Sequence, residues 1–247
     1  MTVPFPVTMA VKHSVRNSYM GECKKYGFLR LVASPENKDW LSIACFGPSL
    51  KDTWKEIQKP IMSVSGAHHF LIERGVVPDF HVDCDPRPHK VKFITPPHKD
   101  VTYLMASCCD PKTWLILRDC KVKTWHAFNG QETSDWIAAN DPWSITVAGG
   151  STVGLRALHI GGLMGYRKFN IYGMDGCYKD GEFRAGPSDA PPQTNIKYKI
   201  GGRTFDTTDL MVNACVEYRA ATQLYPIECK LHGDGMTKAY MEWFDGR

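Results

Sequence analysis

The apolar residues of this chain fall into short runs that alternate between two periods. Residues 41–46 (LSIACF), 61–65 (IMSVS), 80–84, 101–106, 122–127, 145–148 and 169–172 are compact apolar stretches bounded by Gly, Pro, Asp or Ser, which predicts strands. Between them, residues 50–58, 67–74 and 153–164 carry apolar positions at helical spacing, and Gly75 and Gly165 stop the latter two. Residues 206–224 read as a further helix with Asp206 or Thr207 as its N-cap, followed by a strand at 226–231 and a helix at 237–244. Strand, helix, strand at this rhythm predicts βαβ units, a mostly parallel sheet and helices on both faces. The expected fold is a single three-layer α/β domain over residues 36–247. Residues 1–35 are expected to be an N-terminal extension, mainly helical and packed outside the sheet. Residues 177–205 are rich in Gly, Pro, Asp and Lys with little periodicity, and read as a long lid loop.

Composition narrows the functional classes. The 247 residues are 43% hydrophobic and 23% charged, an ordinary globular balance. Thirty Lys and Arg against 26 Asp and Glu give a net charge of +4, without a block of five like charges, so a nucleic-acid partner is not expected. No apolar run approaches the roughly 18 residues of a membrane span. The start MTVPFPVTMAVKH has no charged leader region and two early prolines, so a cytoplasmic location is expected. The nine cysteines are odd in number and contain no C-x-x-C, which argues against a disulfide framework and a zinc ribbon.

Candidate chemistry concentrates where strands end, the place where an open parallel sheet binds ligands. Gly47-Pro48-Ser49 joins a strand to a helix, and its helix start could offer free N–H groups to a phosphate, or be an ordinary capped turn. Gly149-Gly150-Ser151-Thr152 stands in a second strand-to-helix turn, an anion-binding nest or a turn with Ser151 as N-cap. In residues 81–89 (HVDCDPRPH), His81, Asp83 and Asp85 fall on one side of an extended chain, and the two carboxylates could hold Mg²⁺ while phosphates fill its other positions. Asp175, in Gly173-Met174-Asp175-Gly176-Cys177-Tyr178, follows an apolar strand and needs a partner or a ligand there.

Taken in order, these stretches resemble the MptE-like family, which includes archaeal 6-hydroxymethylpterin diphosphokinase and the core of bacterial motility accessory factors. They are also similar to the related bacterial sialyltransferases of the Campylobacter type. The resemblance rests on IACFGPSLKD (43–52), SVSGAHHFLIERGVVPDFHVDCDP (63–86), GGSTVGLRALHIGGLMGYRKFNIYGMDGCY (149–178) and Thr207-Thr208-Asp209.

The resemblance implies a Rossmann-like domain that binds a nucleotide co-substrate over Gly47, Pro48, Ser49, Ser65, Gly150, Ser151, Thr152, Gly173 and Tyr178. It implies a transferase, with Asp83, Asp85 and Asp175 as catalytic candidates. In the diphosphokinase branch an acidic D-x-D stretch holds Mg²⁺, and Asp83-Cys84-Asp85 matches it. A diphosphate or phosphate would then pass from a nucleoside triphosphate to a small hydroxylated acceptor, with Lys51 or Arg87 offsetting charge. The alternative is a glycosyltransferase that uses a cytidine nucleotide sugar and a small-molecule or glycan acceptor. There a His before the Thr-Asp helix and two tyrosines are expected, yet residues 195–206 contain no His, and Cys177 and Phe183 stand at the tyrosine positions with Tyr178 beside one. The second alternative is an inactive nucleotide-binding module. An oligomer is compatible with each.

Overall fold

A strand buried at every position, as Ile61–Val64 is, faces water on neither side, and strands of nearly this kind build the centre of this molecule. The computed structural model describes residues 4–5, 11–187 and 195–246. In chain order the elements are α1 (His13–Lys24), β1 (Leu29–Arg30), β2 (Asn37–Ala44), α2 (Leu50–Thr53), β3 (Ile61–Val64), α3 (Ala67–Ile72), β4 (Phe80–Asp83), β5 (Thr102–Ala106), α4 (Pro111–Leu117), β6 (Lys121–Ala127), α5 (Gln131–Asn140), β7 (Thr146–Val147), α6 (Val153–Leu163), β8 (Tyr166–Tyr172), β9 (Ile196–Ile200), β10 (Arg203–Thr207), α7 (Asp209–Leu224), β11 (Glu228–His232) and α8 (Met236–Asp245). Short 3-10 turns at Trp54–Glu56 and Pro88–Ile94 follow α2 and β4.

The main sheet has nine strands in the order β1-β6-β5-β4-β3-β2-β8-β11, with β7 beside β6, and every pairing is parallel. From β2 the chain steps outward to β6, and α6 then carries it back to β8 on the other side of β2. Leu41 faces Phe169 and Ala44 faces Tyr172 across that junction. The strand order reverses there, so the crevice of the sheet opens at the carboxyl ends of β2 and β8.

Both faces are covered, as the apolar pattern predicts. One layer packs Trp114 of α4, Leu155 and Leu158 of α6 and Met20 of α1 over Ile43, Leu104 and Trp125. The other packs Leu50, Phe70 and Leu71 of α2 and α3 over Ala44, Ile61 and Tyr172. Trp114 and Trp125 are fully enclosed, and truncating either is expected to cost about 3–5 kcal/mol.

Several expectations need correction. Leu29–Arg30 is not outside the sheet: it pairs with Lys123 and Thr124 of β6 as the edge strand. The lid reading of 177–205 missed a hairpin, because Ile196–Ile200 alternates in burial and pairs antiparallel with Arg203–Thr207. Residues 188–194 of that stretch lie outside the described residues. Strand pairing of Asp206 and Thr207 delays the next helix, so the N-cap is Thr208, whose hydroxyl accepts the Met211 N–H at 3.3 Å. Helices α4 and α5 were not foreseen, although Asp110-Pro111 carries a cap signal and the Asp110 carboxylate accepts the Lys112 N–H at 2.9 Å. Trp143 stands 84% exposed, unlike the enclosed tryptophans. All nine cysteines are free. Among the described residues no helix is long and apolar enough to cross a membrane.

Candidate functional site

A cleft of about 200 Å³ lies over the carboxyl ends of β2, β3 and β8, closed on one side by the start of α6. Gly47, Pro48, Ser65 and Asp85 line it, as do Ser151, Thr152, Gly173 and Asp175. Ser49, Gly150, Tyr178 and Asp83 stand behind this first layer. The Tyr178 ring backs Phe183, which lines the cleft, at 4.6 Å.

The Gly47 turn is closed on itself. Gly47 N–H donates to the Gly173 carbonyl at 2.8 Å, Ser49 N–H to Asp175 Oδ2 at 2.9 Å and Leu50 N–H to the Gly47 carbonyl at 3.2 Å, while Pro48 has no N–H to give. A Cβ on Gly47 would lie 2.3 Å from Asp175 Oδ2 and 2.5 Å from the Gly173 oxygen, so only glycine fits. The carboxylate that the sequence left in need of a partner has taken the helix start itself. Asp175 is 5% exposed, and burial pushes its carboxyl up from the ordinary value against the Ser49 hydrogen bonds that lower it.

The Gly149 turn is built the other way. Gly149 and Gly150 hold φ of +82° and +94°, conformations that suit glycine. Glu217 on α7 anchors the turn from behind, accepting Ser151 N–H at 2.8 Å and its hydroxyl at 2.6 Å. Thr152 caps α6 by accepting the Leu155 N–H at 3.4 Å. The N–H groups of Val153 and Gly154 have no partner among the described residues, and both residues line the cleft at the positive end of an 11-residue helix. Facing into the same space is Arg184. It lies against the Phe183 ring at 5.6 Å and has no hydrogen-bond or ion-pair partner among the described residues.

The acidic pair is already met by cations. Asp83 Oδ1 accepts the N–H groups of Cys84 and Asp85 at 2.8 and 2.9 Å, and Lys90 Nζ stands 3.2 Å from Asp83 Oδ2. Asp85 binds the Arg87 guanidinium through both oxygens, with Arg87 Nε at 2.9 and 3.0 Å, and lies 3.8 Å from Lys90 Nζ. Lys90 also hydrogen-bonds the Ser65 hydroxyl. Burial raises the Asp83 carboxyl. It also acts on Asp85, but there the Arg87 hydrogen bonds and the charges of Lys90 and Arg87 outweigh it, and Asp85 is lowered. Among the described residues no cluster of three or more His, Cys, Asp or Glu side chains stands at metal-binding spacing.

His81 leaves this group altogether. It is fully enclosed, with Nδ1 3.1 Å from the Ser63 hydroxyl and its ring against His68 and Tyr103. Burial pulls His68 down to about 4 and His81 well below its ordinary value. Strand β4 stops at Asp83, so the expected same-side alternation does not carry through to Asp85. Lys51 pairs with Glu182 at the surface and does not line the cleft. Sequence reasoning did not single out Lys90, Arg184 or Glu217. Lys90 is one residue past the stretch read as candidate chemistry, Arg184 falls in the segment read as loop, and nothing local marks Glu217.

An all-parallel main sheet covered on both faces, with its crevice at the reversal of strand order, defines a Rossmann-like three-layer α/β protein. Its sequence matches the profile of the family described as 6-hydroxymethylpterin diphosphokinase MptE-like over residues 19–181, and the chain belongs to that family. Its fold is similar to the structure of MAf glycosyltransferase from Magnetospirillum magneticum AMB-1, with a TM-score of 0.67 and 15% sequence identity. That likeness covers 94% of this chain and 40% of the other. No curated protein matches the sequence.

Proposed function

We propose that this protein is a nucleotide-dependent transferase whose cleft grips the phosphate of an activated nucleotide at the start of α6. The carrying observation is the convergence in one cleft of the Val153 and Gly154 N–H groups with the Arg184 guanidinium, none of them partnered among the described residues. Fixed donors of this kind stabilise the negative charge that grows on a departing phosphate, at little reorganisation cost. Backbone N–H groups at a helix start and a planar guanidinium both suit phosphate oxygens.

Transfer of a sugar from a nucleotide sugar to a small-molecule or glycan acceptor is the reading we favour. It requires stabilisation of a leaving phosphate, which Arg184 and α6 provide, and the glycosyltransferase of similar fold supports it. Transfer of a diphosphate from a nucleoside triphosphate is the second reading, favoured by the family's description. The test is a panel of ATP, GTP, CTP and cytidine and uridine nucleotide sugars, followed for slow hydrolysis without acceptor and for thermal stabilisation. A bound nucleotide at about 100 times its Kd adds roughly 2.7 kcal/mol to stability. Hydrolysis of a nucleotide sugar supports the first reading, and triphosphate turnover moves the assignment to the second. Binding without turnover across a broad acceptor screen would leave a nucleotide-binding module. No binding of any nucleotide overturns all three.

A further inference from the structure

Lysine side chains usually reach for water, yet the Lys90 side chain is only 10% exposed. Its ammonium has three N–H donors, and three oxygens surround it: Asp83 Oδ2, Asp85 Oδ2 and the Ser65 hydroxyl. Its charge also lies 5.1 Å from the centre of the Phe93 ring. Ser65 is held at φ +53°, a left-handed conformation that a residue with a side chain rarely adopts, and its hydroxyl meets the ammonium there. Strain of this kind persists only where the surroundings enforce it.

The same oxygens are those a divalent cation would need. Asp83 Oδ1 is held by two backbone N–H groups, and Asp85 is held by Arg87 through both oxygens. A metal ion entering here would have to displace Lys90 and draw Asp85 away from Arg87. Asp83 and Asp85 already balance Lys90 and Arg87, so the pair has no uncompensated charge to offer a metal ion, and Asp175, the other carboxylate of the lining, is engaged by the Ser49 N–H. Arg184 stands in the same lining beside the start of α6, and a guanidinium with backbone N–H groups suits phosphate oxygens without help from a metal.

We propose that Lys90 takes the place of a divalent cation between Asp83 and Asp85, and that the cleft binds the phosphate of its ligand without metal. The first half stands on these side chains alone. The second rests on the transferase reading. In this arrangement Asp83 and Asp85 are positioning residues that hold Lys90 and Arg87 at the floor of the cleft.

The test uses Mn²⁺ alone, followed by its electron paramagnetic resonance signal. The wild-type protein is expected to take up no Mn²⁺ at the cleft at millimolar concentration. Lys90→Met frees the acidic pair and is expected to gain a Mn²⁺ site at least about tenfold tighter than anything in the wild type, lost again when Asp83→Asn is added. A wild-type Mn²⁺ site that weakens in Asp83→Asn or Asp85→Asn overturns the proposal, and so does a folded Lys90→Met protein that gains no site. Should Lys90→Met fail to fold, the wild-type measurement still decides. Calorimetry with inorganic pyrophosphate, in EDTA and then in Mg²⁺, reads the second half. Equal affinity in both supports it, and binding only with Mg²⁺ overturns it. Absence of pyrophosphate binding in both conditions counts against the transferase reading, and the Mn²⁺ result then decides the place of Lys90 by itself.

Discussion

Two glycine turns face each other across the cleft, and they use the same chemistry for opposite ends. At Gly47-Pro48-Ser49 the N–H groups are taken inside the protein, by the Gly173 carbonyl and the Asp175 carboxylate. At Gly149-Gly150-Ser151-Thr152 the first N–H and the hydroxyl of Ser151 are held by Glu217 from behind, and those of Val153 and Gly154 open toward the cleft. The helices behind them differ as well. The one after Gly47 has four residues, whereas α6 has 11, enough for a helix dipole to develop at its start. A glycine-rich strand-to-helix turn is therefore a place where an anion can bind, and the neighbouring carboxylates decide whether the protein fills that place itself.

Substitutions should separate the two turns, with losses of folding on one side and of binding on the other. The largest effect is expected from Gly47→Ala. Its new Cβ would press on the Gly173 backbone oxygen, which cannot turn aside, and the destabilisation should reach about 3 kcal/mol or more, read as loss of the cooperative melt. A normal melt for this variant would break the picture of a closed turn.

A second effect of about 3 kcal/mol belongs to neither turn and provides a control. His68 is held neutral to about pH 4 by burial, whereas an unfolded chain protonates it near 6.5. Its contribution is complete above pH 6.5 and is lost as pH falls from there toward 4. Buried His81 acts in the same direction. Asp175 has the opposite sign: its raised carboxyl contributes stability at low pH that is lost as pH rises through its shifted value. Urea unfolding at pH 7.5 and 4.0 reads the sum, and His68→Gln should flatten the acid limb. An identical pH dependence in the wild type and in His68→Gln would contradict the assignment.

Removing the Arg184 guanidinium, in Arg184→Ala, should weaken nucleotide binding by up to about 3 kcal/mol, roughly a hundredfold, with the melting temperature unchanged. Asp175→Ala strands the Ser49 N–H and should cost about 2 kcal/mol of stability, with the loss seen in melting rather than in nucleotide affinity. Glu217→Ala frees the Gly149 turn and should bring the smallest change, about 1 kcal/mol, shared between stability and affinity. If Arg184→Ala and Asp175→Ala behave alike in both assays, the distinction between the turns fails.

Much of this was legible in the sequence. The parallel sheet and its helices follow from the apolar runs, and the cleft follows from what stands at the strand ends, since Gly47, Ser65, Ser151 and Asp175 do meet there. Local pattern could not show which N–H groups are already taken, because the acceptors arrive from far along the chain: Asp175 is 126 residues from Ser49, and Glu217 is 66 from Ser151. It could not show the cations either. Lys90 and Arg184 enter from segments without regular pattern, and only the fold brings them onto the acidic pair and into the cleft. His81 was misplaced for a simpler reason. It lies inside β4, two residues before the strand ends, where the neighbouring elements bury it completely.

The most direct test of the account is an amide proton–nitrogen titration of the ¹⁵N-labelled protein with the nucleotide that stabilises it best. The account predicts that the Val153 and Gly154 amides move with saturating shifts while those of Gly47 and Ser49 stay in place. Shifts at Gly47 and Ser49, with Val153 and Gly154 unmoved, would contradict it.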